Sequence, residues 1–243
     1  ADCTGLVRSI HDGVAAMSSE LVETTLSVGI ASRSHGSRPM VDLINAAESN
    51  MHRNKFLHPG SPRGNLFHFL RKALAEKTCE TEAHSERLRE MILELGKAMN
   101  MSASDLDDLA LLCMLHDVGK IGIPDSILQK PGPLTSDEWE IMRTHCEIGA
   151  RIVMDNADLA GIAEAILSHH ERWDGAGYPR GLAGEAIPLG ARMLSIVDAF
   201  DAMTSERPYK RAIAAEEALA EIRRCAGSQF DPTLVEVFLE LAH

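Results

Sequence analysis

A chain of 243 residues with a formal charge of −12 is long enough for one large core, or for one domain and a fragment of another. Such an acidic balance disfavours a long nucleic-acid partner, whose binding depends on Lys and Arg neutralising phosphates. With 45% hydrophobic residues, a mean hydropathy near zero and no apolar run of membrane-spanning length, the sequence excludes a membrane span and a secretory signal.

Residues 24–31 (Thr-Thr-Leu-Ser-Val-Gly-Ile-Ala) read as a strand, 32–39 as a Ser/Gly/Arg/Pro loop and the stretch to Lys55 as a helix, so residues 1–57 are expected to form a small α/β segment. The cluster His58-Pro59-Gly60-Ser61-Pro62-Arg63-Gly64 breaks regular structure and marks a domain boundary. From 66 to 243 apolar residues recur at helical spacing, predicting helices over 66–76, 82–99, 106–115, 138–153, 159–170, 189–204, 215–225 and 232–241. Thr135 or Ser136 is the expected N-cap of the 138–153 helix. The fold class is therefore mainly α, with a small N-terminal α/β segment.

The loop between His170 and Pro188 carries Gly175, Gly177, Gly181 and Gly184 beside Trp173 and Tyr178, in a chain only 4% aromatic. Its two aromatics suit either guanine stacking or a rigid scaffold. Asp174 is expected to structure the loop. The five cysteines, Cys3, Cys79, Cys113, Cys146 and Cys225, are scattered and form no C-x-x-C pair, the pattern of reduced thiols in a cytoplasmic protein. Core packing is their expected role and a thiol metal site is not expected, although Cys79 and Cys146 adjoin candidate ligands and would make the site sensitive to oxidation.

Chemistry concentrates in a few positions. His116-Asp117 offers a neutral nitrogen ligand next to a carboxylate able to bridge two cations, with Lys120 one turn on and His169-His170 later in the chain. Glu80 precedes His84 by four residues, which stacks both on one helix face. His145 falls within a predicted helix. Asp198 interrupts the apolar run 193–200, where an unpaired carboxylate is costly to bury. Asp201, three residues on, faces the same way and suits either orienting a ligand or touching substrate.

Four segments, HDVGKIGIPDSILQKPGPLT, HHERWDGAGYPRGLAGEAIPL, VDAFDAMTSERPYKRA and GSQFDPTLVEVF, closely resemble the HD-GYP family of bacterial cyclic-dinucleotide phosphodiesterases, with the likeness running from about Lys72 to Leu241. The resemblance implies an HD-type helical bundle over 66–243. It implies metal ligands at His116, Asp117, His145, His169, His170 and Asp198, joined by Glu80 and His84 in three-metal members. It places Lys120 beside the centre, Arg207 and Lys210 on substrate phosphates, and Gly177-Tyr178-Pro179 in the substrate-side wall. Where many relatives read Glu-Thr-Gly-Asn-His, this chain reads Glu80-Thr81-Glu82-Ala83-His84, so a third metal depends on Glu80 rather than Glu82 turning inward.

Two or three divalent ions are thus expected, with iron or manganese suiting the ligands best and zinc, nickel and cobalt admissible. The implied reaction is opening of cyclic di-GMP to pGpG and, with a third metal, onward to GMP. A receptor or scaffold with little turnover, and an enzyme preferring cyclic GMP-AMP, are the alternatives. Residues 1–57 resemble the C-terminal end of a GGDEF domain, but the chain has no Gly-Gly-Asp/Glu-Glu-Phe turn, which excludes cyclase activity. A homodimer or a signalling-protein partner is compatible with these readings, and the incomplete sheet edge of the N-terminal fragment is where one would bind.

Overall fold

The computed structural model describes residues 82–157, 159–206 and 211–242, with scattered positions before them. The chain divides into two units, Ala1–Leu70 and Arg71–His243. The expected strand at 24–31 and the helix to Lys55 lie largely outside the described residues. The second unit is mainly α, and no helix among the described residues is long and apolar enough to cross a membrane.

Nine α-helices follow in chain order: α1 Glu82–Ala98, α2 Ala103–Leu115, α3 Asp125–Leu128, α4 Ser136–Arg143, α5 His145–Met154, α6 Ala163–Ser168, α7 Leu189–Thr204, α8 Ala215–Arg224 and α9 Pro232–Leu241, counted among the described residues. Short 3-10 turns at Val118–Gly122, Ala160–Ile162 and Gly184–Ala186 link them. Three of their starts are marked by capping side chains. Ser102 with Asp105, and Thr135 with Glu138, form capping boxes for α2 and α4. Asp231 caps α9, with Pro232 at its first position.

The core gathers on α7, which packs against α1, α2, α6, α8 and α9. Leu88, Ile92 and Leu95 line one face of α1 at intervals of four and three, and with Leu111, Ile166, Met193, Ile196, Val197 and Ile222 they are fully excluded from solvent. Each such side chain contributes roughly 1.5–3 kcal/mol on burial.

One expectation fails instructively. The helix predicted over 138–153 is two helices, broken at Thr144. The Thr144 hydroxyl donates to the Ile141 carbonyl at 2.7 Å, and the His145 ring faces the Met142 carbonyl at 2.7 Å. Side chains thus take the acceptors that continuation of the helix would use. Similarly, the stretch 159–170 resolves into a 3-10 turn and α6, which ends at Ser168 just ahead of His169.

The 3-10 turn bearing Lys120 lies against α5 with no space for a side chain. A Cβ on Gly119 would sit 1.9 Å from the His145 carbonyl oxygen and 2.5 Å from the Gly149 nitrogen. Gly119→Ala must therefore push the turn away from α5. A loss of about 1–3 kcal/mol is expected, read as a lower denaturant midpoint and accompanied by reduced metal content after purification. Unchanged values in both assays would contradict this packing.

Candidate metal centre

Three histidines sit at helix ends. His116 follows α2, His145 follows α4 and opens α5, and His169 follows α6. Their Nδ1 atoms face the carbonyl oxygens three residues earlier: Cys113 at 3.0 Å, Met142 at 2.7 Å and Ile166 at 2.6 Å. The last carbonyls of a helix lack intrahelical donors, so these rings satisfy them. A carbonyl only accepts, so each Nδ1 carries the proton and donates it, leaving an Nε2 lone pair for a ligand.

Those lone pairs converge. The Nε2 atoms of His145 and His169 are 3.3 Å apart, an arrangement in which two acceptors repel unless a cation lies between them. Asp117 spans the interior: Oδ2 is 3.1 Å from His116 Nε2 and 2.7 Å from Lys120 Nζ, while Oδ1 is 3.3 Å from His145 Nε2. Ligand atoms gather in two groups, His145, Cys146, His169 and His170 on one side and His84, His116 and Asp198 on the other, each within 4.8 Å. The carboxylate of Asp117 thus lies between two half-sites, the arrangement that a dinuclear centre requires.

Residues 68–234 match the model of the HD domain family. The chain belongs to this family. It is an HD domain of the HD-GYP type, homologous to proteins named cyclic di-GMP phosphodiesterase. One, from Thermotoga maritima, is 46% identical over 164 residues, covering 67% of this chain and 45% of the relative. The response regulator RpfG of Xanthomonas campestris is 41% identical over 172 residues, covering 70% and 46%. A 3'3'-cGAMP-specific phosphodiesterase of Vibrio cholerae is 40% identical over 177 residues, covering 72% and 34%. The chain therefore spans less than half the length of these curated relatives. Among solved structures, a cyclic GMP-AMP specific phosphodiesterase of V. cholerae superimposes with a TM-score of 0.53 at 27% identity, over 65% of this chain and 43% of that one.

In this HD domain the half-sites differ in support. His84 on α1 and Asp198 on α7 approach with Nε2 and Oδ1 3.7 Å apart. Behind His84, Asp201 accepts from Nδ1 at 2.6 Å and also holds Arg87 and the Ser205 hydroxyl. Asp201 is 2% exposed and its carboxylate faces His84 and Arg87, the placement of a residue that orients a ligand. Burial alone would raise its pKa, but the bonds from His84 and Arg87 outweigh it and hold the carboxyl well below the usual range.

His170 faces the glycine-rich loop. Its ring lies 4.9 Å from that of Tyr178, and the Arg143 guanidinium stands 5.1 Å over the same Tyr178 ring. A Cβ on Gly177 would meet the Arg172 nitrogen at 2.4 Å, so the backbone of Gly177-Tyr178-Pro179 closes on the histidine pair only as glycine. Glu171, overlooked in the sequence, is buried and accepts from the backbone amides of Arg180 at 2.7 Å and Leu182 at 3.0 Å. Its signal was available: a carboxylate opening a glycine-rich loop has many amides to satisfy. Asp174 accepts from the Ala176 amide at 3.0 Å, as expected of a loop-structuring residue. Trp173 lies under Arg192 at 5.8 Å, which favours the scaffold over base stacking. Glu80, Arg207 and Lys210 lie outside the described residues.

Burial lowers the pKa of His145 and His169, and carries that of His170 down to about 3, against the opposing pull of Asp117. These rings are neutral at physiological pH, the state in which imidazole binds metal. The unfolded chain protonates His170 near 6.5 and the folded chain only near 3, so between those values the unfolded state holds more protons. Stability of chelated protein is therefore full above about pH 6.5 and falls with pH through this window. A denaturant midpoint that stays flat between about pH 6.5 and 4 in chelated protein would refute this.

Asp201→Ala leaves His84 unoriented and is expected to weaken one of two metal equivalents by about 10–100-fold in a calorimetric titration, leaving the other in place. Equal weakening of both would argue against separate support of the half-sites.

Proposed function

We propose that this chain is a metal-dependent phosphodiesterase that hydrolyses cyclic di-GMP, opening it to pGpG and, where a third ion is held, continuing to GMP. The observation that carries the reading is Asp117 set between two groups of ligand atoms, with the Nε2 atoms of His116, His145 and His169 turned toward its carboxylate. Relatives named for this activity at 46% and 41% identity support it.

His84, His116 and Asp198 would hold one ion and His145, His169 and His170 another, with Asp117 shared between them. Two such ions supply Lewis acidity, which activates water and stabilises charge on the phosphate. Lys120, 2.7 Å from Asp117 Oδ2, fixes the carboxylate and carries a proton suited to the departing O3′. Arg207 and Lys210 hold the phosphate that is not cut. Tyr178, stacked on His170, forms the substrate-side wall, and Arg143 adds a cation at its rim. The carboxylate-bearing half-site suits iron or manganese. Residues 66–243 constitute this catalytic domain, and residues 1–57 are a degenerate, partial GGDEF-like α/β segment.

A second reading, preference for cyclic GMP-AMP, is favoured by the relative of that specificity at 40% identity. The two separate in one experiment: anaerobic hydrolysis of both dinucleotides by protein of measured metal content, with products chromatographed over time. Asp117→Ala is expected to cut turnover at least ~100-fold. Full metallation with dinucleotide bound but uncleaved would instead make the chain a receptor.

A further inference from the structure

Cys146 is completely buried and its Sγ lies 3.6 Å from His145 Nε2, within the group that also contains His169 and His170. We infer that Cys146 is a metal ligand, which makes this half-site sulfur-containing and distinct from its all-nitrogen-and-oxygen neighbour. An ion held tetrahedrally at about 2.05 Å from nitrogen and 2.3 Å from sulfur separates two nitrogens by roughly 3.3 Å and nitrogen from sulfur by roughly 3.6 Å. The observed edges are 3.3 Å between the His145 and His169 nitrogens and 3.6 Å from His145 nitrogen to the Cys146 sulfur. Both match, so His145, His169 and Cys146 supply three donors of one tetrahedral shell, and either His170 or the shared Asp117 supplies the fourth.

Core packing is the competing account, since cysteine is often a small buried hydrophobe. Cys113 shows what that account yields: it is 1% exposed, yet belongs to neither ligand group. Burial does not by itself bring sulfur among three imidazoles. On binding, the S–H bond breaks, its proton passes to solvent and a sulfur–metal bond forms, with no change of oxidation state. Thiolate favours zinc and cobalt over manganese, whereas the Asp198 half-site retains a harder donor set. The chain then holds two unlike sites. The inference rests on the metal-centre reading and is independent of which dinucleotide is cleaved.

The test is anaerobic titration of the metal-depleted full chain with cobalt(II), followed by absorption spectroscopy. Wild type should develop a near-ultraviolet thiolate-to-cobalt charge-transfer band, retained by Cys113→Ala and lost in Cys146→Ser. Zinc affinity should fall at least ~10-fold in Cys146→Ala, with manganese affinity changed far less. Cobalt uptake by wild type without a charge-transfer band would overturn the inference without need of any variant, as would a band that survives in Cys146→Ser. Failure to take up cobalt at all would overturn the metal centre itself, whereas a normal band without hydrolysis would remove only the phosphodiesterase reading.

Discussion

A peptide carbonyl has no proton to give, so an imidazole nitrogen held against one must be the donor. Cys113, Met142 and Ile166 each present such a carbonyl to a histidine three residues later. That single constraint sets the tautomer of three rings, points their other nitrogens inward, and makes the interior a place for cations. His84 reaches the same condition differently, through the Asp201 carboxylate. Four imidazoles are thereby prepared as ligands by the protein before any ion arrives, and burial reinforces the effect for His145, His169 and His170 by disfavouring their charged forms.

The device works only where a helix ends, and the fold supplies those ends in the right places. The break at Thr144 puts His145 at a helix junction, and α6 stops after six residues so that His169 can turn back onto Ile166. The two ligand groups then ride on different packings. His84 and Asp198 come from α1 and α7, which share the main core, whereas His145 and His169 follow the shorter α5–α6 pair. Asp117, at the end of α2, is where those packings meet. Gly119 lets its turn lie directly on the α5 backbone, so the position of the shared carboxylate depends on the absence of one methyl group.

Residue type carried most of what could be read in advance. A His-Asp dipeptide, a His-His pair and a carboxylate in an apolar helix are conspicuous because each is expensive to bury without purpose, and the structure gathers His84, His116, Asp117, His145, His169, His170 and Asp198 together. The start of α4 was legible through its Thr135 cap. What escaped reading depends on partners distant in sequence or on competition for single acceptors. The Thr144 break arises from two side chains taking the Ile141 and Met142 carbonyls, which apolar periodicity does not register. Glu171 satisfies loop amides only because that loop folds back over it, and of the two roles read for Asp201 it is the distant partners Arg87 and His84 that favour orienting a ligand. Cys146 was expected to pack in the core because the cysteines are scattered without a C-x-x-C pair, and it is the 3.6 Å from its sulfur to His145 Nε2, within the histidine group, that points to a ligand.

The charge of the molecule and the charge of its centre oppose one another. A protein at −12 repels a dianionic ligand at long range, so attraction must be generated locally, within about a Debye length of 8–10 Å. Protonated histidines could not supply it, because they would exclude the metal ions. Neutral histidines admit divalent ions into a buried space where, among the described residues, the carboxylates of Asp117, Asp198 and Asp201 offset part of their charge and Lys120 partly offsets Asp117. Divalent ions held there would make the centre cationic inside an acidic chain, with Arg143 over Tyr178 adding positive charge beside it. Proton placement on the imidazoles, fixed by the helix-end carbonyls, is therefore what allows the pocket to reverse the sign of the surface around it.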